Sequence, residues 1–82
     1  MYFVYILQSI PSGRYYVGST ADVHRRLAKH NAGHSAATKA YRPWKLVHSE
    51  TYSEKSDAIR RELAIKRMKS RTYIESLLDG VR

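Results

Sequence analysis

With 82 residues and 9.5 kDa the chain has room for one small core, and without cysteine it can hold neither a disulfide framework nor a cysteine-bound metal. A hydrophobic share of 43% is enough to fold, so the 27% of charged residues and the mean hydropathy of −0.56 do not mean disorder. Fifteen Lys and Arg against seven Asp and Glu give a net charge of +8 and a pI near 10.1, the balance of a protein with a polyanionic partner, or of a surface charged only for solubility.

Tyr2 to Leu7 is β-branched and aromatic, and Pro11-Ser12-Gly13 is turn chemistry leading into Arg14-Tyr15-Tyr16-Val17-Gly18, which predicts a β-hairpin. Ser19 or Thr20 can cap a helix that starts near Asp22, carries Val23 and Leu27 as its apolar stripe, and ends near Asn31-Ala32-Gly33. The small, polar stretch from Asn31 to Lys39 reads as an exposed loop. Pro43 starts a third extended run through Lys45-Leu46-Val47-His48 to Tyr52. Ser53 then caps a second helix to about Lys69, with Ala58, Ile59 and Ile65 facing the core and Leu63 and Met68 at its edges. Ser70 caps a short last helix that buries Tyr73, Ile74, Leu77 and Leu78. The expected order is β-β-α-β-α-α: an α+β fold, a small three-stranded antiparallel sheet flanked by helices, forming a single domain over residues 1–82. The longest apolar run, Phe3 to Leu7, is too short to span a bilayer, and Met1-Tyr2-Phe3 lacks the basic start of a signal peptide. No membrane role is expected, and a chain free of cysteine suits the reducing cytoplasm.

Positive charge concentrates in residues 54–71, where Lys55, Arg60, Arg61, Lys66, Arg67, Lys69 and Arg71 face only Glu54, Asp57 and Glu62. Three side chains then stand where simple packing does not want them. Glu62 falls inside the core-facing stripe of the second helix, between Ala58 and Ile59; a buried carboxylate needs a partner, either Arg61 or Lys66 in an ion pair or a cation such as Mg²⁺. Arg26 and His30, one helical turn apart, flank the Val23–Leu27 stripe either as a surface pair or as a phosphate fork beside a group that titrates near neutrality. Tyr5 and Tyr16 can face each other across the hairpin, as packing or as a pair of hydroxyls, and Gly18 at the strand end lets backbone or a phosphate come close.

Taken together, Val4-Tyr5-Ile6 and Tyr16-Val17-Gly18, followed by Arg26 on the first helix and Glu62 on a later one, resemble the GIY-YIG nuclease superfamily over nearly the whole chain. The stretch from Tyr16 to Thr20 and on through Arg25-Arg26-Leu27 to His30-Asn31 is most similar to its small stand-alone bacterial members. The resemblance implies an endonuclease that hydrolyses phosphodiester bonds in DNA, or RNA. It makes Tyr16 the general base or water-orienting group, Tyr5 a member of the same cluster, Arg26 the phosphate contact, His30 the helper of the base tyrosine, and Glu62 the sole ligand of one Mg²⁺ or Mn²⁺. Around that catalytic set, Gly18, Ser19, Arg14, Arg25, Lys39, Arg60, Arg61 and Arg67 are expected to bind nucleic acid. Two departures stand out: Val4 replaces the first glycine of the signature, and Ser19 stands where some relatives place a lysine. So small a domain has no extra module for reading sequence, so selectivity for branched, nicked or single-stranded DNA, in repair or recombination, is expected. The competing expectation is a DNA- or RNA-binding module that keeps the fold without catalysis.

Overall fold

The computed structural model describes residues 1–79. Strands β1 (Tyr2–Ser9) and β2 (Tyr15–Thr20) form the expected hairpin, and β3 (Trp44–Tyr52) pairs with the other side of β1 in an antiparallel sheet of order β2-β1-β3. Gly13 takes the positive φ (76°) that reverses the chain after Pro11, and its N–H donates to the Ser9 carbonyl at 2.8 Å.

Helices cover both faces of this sheet, so the central run Val4-Tyr5-Ile6-Leu7 is buried along its whole length. Strand alternation sorts it: Val4 and Ile6 pack with Val17, Ala58 and Ile65 on one face, Tyr5 and Leu7 with Trp44 on the other. α1 (Val23–Asn31) and the short α2 (Ala36–Lys39) lie on the Tyr5 face. α3 (Lys55–Met68) and α4 (Arg71–Asp79) lie on the Val4 face. Opposite β1, β3 carries one extra residue, Val47, because Ile6 pairs with His48 but Leu7 with Leu46.

The α+β class and the three-stranded antiparallel sheet are as the sequence predicts, but the order gains an element. The polar stretch expected as a loop contains α2, so the described chain runs β-β-α-α-β-α-α. Thr38 of that helix is fully buried, because its carbonyl accepts from Trp44 Nε1 at 2.8 Å and its hydroxyl meets His30. Two of the three predicted helix caps shift as well. Asp22, not Ser19 or Thr20, caps α1 by accepting from the Arg25 N–H at 3.0 Å, since Thr20 still belongs to β2. Glu54 rather than Ser53 occupies the cap position of α3. Ser70 caps α4 as expected, accepting from the Tyr73 N–H at 3.1 Å, and Tyr73, Ile74 and Leu77 pack into the core with Leu78 half-buried.

The buried face of α3 is also rotated from its predicted position. Ala58 and Ile65 are buried, but Ile59, Leu63 and Met68 are 40%, 46% and 52% exposed. The residues between Ala58 and Ile65 on the inner face are Arg61 and Glu62, each held by polar partners on the sheet side. Arg61 donates from Nε and Nη2 to the two oxygens of Glu50 at 2.9 and 3.2 Å and from Nη1 to Tyr73 Oη at 3.0 Å. It therefore fastens α3 to β3 and α4 and is not free to serve as the phosphate contact expected of it.

Burial alone pushes the Glu50 carboxyl up, yet hydrogen bonds from Arg61, His48 and Tyr52, with the Arg61 charge, outweigh it and hold the pKa at about 2. A depressed acid stabilises the fold above its unfolded pKa, and that contribution fades as pH falls from 4.5 towards about 2. Glu50→Gln is expected to cost about 2–3 kcal/mol at neutral pH and to flatten the acid limb of the stability curve. Urea unfolding from neutral to acid pH reads both effects; a variant as acid-sensitive as the parent protein would place that limb on another carboxylate.

Candidate active site

The site is assembled at the edge strand β2, where Gly18 sits directly opposite Tyr5. A Cβ at position 18 would lie 2.5 Å from the Tyr5 hydroxyl and 2.6 Å from Cζ, so the missing side chain is the space that the phenol occupies. Tyr16 is opposite Leu7, which makes it a diagonal neighbour of Tyr5 rather than the directly facing partner that the sequence suggested. Their ring centroids are 6.4 Å apart.

Tyr5 is only 2% exposed, and its hydroxyl hydrogen-bonds His30 Nε2 at 3.2 Å. His30 is equally buried at the end of α1, and its Nδ1 lies 2.8 Å from the Thr38 hydroxyl. A neutral imidazole donates through one nitrogen and accepts through the other, so the Tyr5 and Thr38 hydroxyls are coupled through the ring: when one donates, the other accepts. Burial and the nearby Arg26 charge lower the His30 pKa, which keeps the ring neutral at pH 7. Burial also pushes Tyr5 up to about 12, reinforced by Tyr16 and Glu62 and opposed by Arg26. His30 thus engages Tyr5 by hydrogen bond, whereas Tyr16 meets it ring edge to ring at 4.9 Å. The hydrogen bond expected between His30 and Tyr16 is made with Tyr5 instead.

Glu62 reaches the same edge from the opposite face of the sheet. Its Oε1 accepts from Ser19 Oγ at 2.6 Å and its Oε2 from Lys66 Nζ at 2.6 Å, with 18% of the side chain exposed. Of the two ion-pair partners the sequence offered, Lys66 is the one used. It also brings a cation to the carboxylate in a chain that has serine at position 19. Ser19 and Arg26 line a cleft of about 230 Å³ with Thr20 and Lys55. Arg26 also borders a cleft of about 400 Å³ with Arg25 and Lys29, and a third beside His30 and His34.

Tyr5, Tyr16, Gly18, Ser19, Arg26, His30 and Glu62 therefore converge, with Arg25 alongside. The remaining expected contacts do not join them. Arg14 stacks on Tyr41 at 4.3 Å, Arg60 pairs with Asp57 at 3.1 Å, and Lys39 and Arg67 are exposed on α2 and α3. Two supports escaped the sequence reading. One is Thr38; the other is Asn31, whose side chain donates to the Trp44 carbonyl at 3.0 Å and accepts from its N–H at 2.7 Å, clamping the end of α1 to β3.

With this geometry in view, the comparison with known proteins is direct: the sequence profile of the GIY-YIG catalytic domain matches residues 1–74. The chain belongs to the GIY-YIG family. Similar proteins include a UPF0213 protein of Halobacterium salinarum, 45% identical over 78 residues, which covers 94% of this chain and 99% of the relative. Another is a UPF0213 protein of Staphylococcus epidermidis, 40% identical with 96% of each chain covered. The solution NMR structure of a UPF0213 protein from Bacillus halodurans superposes with a TM-score of 0.60 at 36% identity, covering 96% of this chain and 84% of that one. It shares the α+β architecture. Family membership makes nucleic acid the substrate class. Among the described residues no helix is long and apolar enough to cross a membrane.

Proposed function

We propose that the protein is a cytoplasmic, metal-dependent endonuclease that hydrolyses phosphodiester bonds in DNA, selecting branched or single-stranded structure rather than sequence, in repair or recombination. The observation that carries the reading is the buried Tyr5–His30–Thr38 chain ending at the Gly18 notch, on which the charges of Arg26 and Glu62 both act.

Among the described residues no three His, Cys, Asp or Glu side chains gather into a metal site, and Glu62 is the carboxylate that reaches this edge. The donor set fits Mg²⁺ or Mn²⁺: Glu62 would hold it, with the Ser19 hydroxyl orienting the carboxylate beside a cleft open to water and phosphate oxygens. When bound, the ion supplies charge to stabilise the departing 3′ oxygen.

The chain's own groups do the rest. Tyr5 stays protonated at neutral pH, so it serves as a base only by handing its proton on as it takes one. In the tautomer with Nδ1–H donating to the Thr38 hydroxyl, His30 Nε2 is free to accept the Tyr5 proton. Tyr5 oxygen in turn takes a proton from the attacking water as the water oxygen bonds phosphorus and the bond to the 3′ oxygen breaks. Arg26 stabilises the charge that develops on the phosphoryl oxygens through charge-assisted hydrogen bonds. Tyr16, against the His30 ring edge, keeps the ring and the water in line.

Labelled duplex, single-stranded, flap and four-way DNA, with a single-stranded RNA, incubated with Mg²⁺, Mn²⁺ or EDTA, test the reading. Cutting that needs the ion, and falls about a hundredfold or more in Glu62→Gln, is the expected result. Cutting unchanged by both Glu62→Gln and Tyr16→Phe would sink the assignment. One observation favours the binding-module alternative: Lys66 already neutralises Glu62, so the carboxylate need not repel a bound phosphate. Undiminished DNA binding without cleavage under any ion would select that reading.

A further inference from the structure

On the Val4 face, beyond Lys66, lies a cleft of about 360 Å³ between β2 and the junction of α3 with α4. Lys66, Lys69 and Arg71 line it with Ile65 and Ile74, Arg14 contributes to its wall while its guanidinium stacks on Tyr41, and no acidic side chain lines it among the described residues. Nothing in the site described above uses it.

Two of these cations are held in unusual ways. Arg71 is pinned: Nη1 donates to the Gly13 carbonyl and Nε to Glu75, each at 3.0 Å, and the guanidinium covers the Tyr15 ring at 4.8 Å. Nη2 keeps its hydrogens uncommitted among the described residues, a preorganised donor. Lys69 ends α3 in the left-handed conformation (φ 46°, ψ 40°), where glycine is the favoured residue. A lysine there strains the backbone and leaves its ammonium with no carboxylate partner among the described residues.

Lys66 links the cleft to the site, because it both lines the cleft and bonds Glu62. Along the open edge of β2, basic side chains therefore precede Glu62 at Arg26 and Lys55 and follow it at Lys66, Lys69 and Arg71. We propose that this cleft is a second phosphate-binding subsite, taking a phosphate group of the same nucleic-acid strand whose scissile phosphate meets Arg26. The identity of that strand rests on the nuclease reading; the subsite itself rests on the cleft.

The test is an NMR titration of ¹⁵N-labelled protein in EDTA with inorganic phosphate and with a short single-stranded DNA bearing either a 5′-phosphate or a 5′-hydroxyl. Shifts at the Lys69, Ser70 and Arg71 amides are expected with each. Lys69→Gly removes the ammonium while giving the left-handed position its favoured residue, so its melting temperature should hold or rise as DNA affinity falls about tenfold at low salt. Its log K against log[salt] slope should shrink by about 0.7. Equal binding of the two oligonucleotides identifies an internal phosphodiester; tighter binding of the 5′-phosphorylated one identifies a terminal phosphate. Absent shifts at these amides, or DNA affinity unchanged in Lys69→Gly, would overturn the subsite. A response to inorganic phosphate but not to DNA would overturn its assignment to a strand. A protein that shows the shifts but cuts no substrate refutes the nuclease reading and leaves the subsite standing, whereas cutting with an unaffected Lys69→Gly does the reverse.

Discussion

Tyr5→Phe is expected to lower the cleavage rate by about 10²–10⁴-fold while leaving the fold in place. The ring remains, so its packing with Leu7 and Trp44 is kept, and the deletion removes one buried hydrogen bond worth about 1 kcal/mol. In the proposed mechanism the phenol oxygen is the relay between the water and His30, so the chemistry should suffer far more. The pH profile separates this role from packing. The proposed mechanism needs neutral His30, whose pKa lies below the usual 6.5, so the rate should fall only on the acid side of that value. With Tyr5 held up near 12, no alkaline limb from this phenol belongs in the neutral range. His30→Gln should abolish the acid limb along with most of the rate. A Tyr5→Phe enzyme at near-parental rate, or an acid limb that survives in His30→Gln, would remove the relay from the mechanism.

Gly18→Ala is expected to cost about 1–3 kcal/mol, which in a domain of this size lowers the melting temperature by several to roughly twenty degrees. The added methyl would sit 2.6 Å from Cζ and 3.0 Å from Cε1 of a ring that is packed on all sides, so backbone or ring must move. Movement of the ring breaks the bond to His30, and activity falls with stability. The clash is with the ring as well as the hydroxyl, so Tyr5→Phe should not rescue Gly18→Ala, whereas the smaller Tyr5→Leu should recover part of the lost stability. Thermal melts of the two double variants decide it; full recovery by phenylalanine would mean that the hydroxyl alone fills the notch.

The strands were legible because their signals are local: an unbroken apolar run for a strand buried on both faces, and Pro11-Ser12-Gly13 at the reversal. Glu62 was legible as an anomaly, a carboxylate on an inward face. Its surroundings were not. Counting apolar residues turned the predicted face of α3 towards Ile59 and Leu63, but Arg61 and Glu62 are inward because Glu50 and Ser19 await them from distant strands. Thr38 escaped for a related reason. Four residues are too few to show helical periodicity, and what buries Thr38 is Trp44 and His30, contacts that exist only once α1 and β3 are side by side. The pairing of His30 with Tyr5 instead of Tyr16 depends on strand register, which spacing between signature tripeptides does not specify.

Register has a further consequence. A strand that is apolar on one side only reveals a slip of one residue, because its greasy face turns outward; β1, apolar on both, carries no such warning. Volume has to do what polarity cannot. If β2 slid by a single position, Val17 or Ser19 would stand opposite Tyr5 and the phenol would meet a side chain where it now meets none. The empty place at Gly18 therefore also sets the native alignment of the hairpin apart from the neighbouring one.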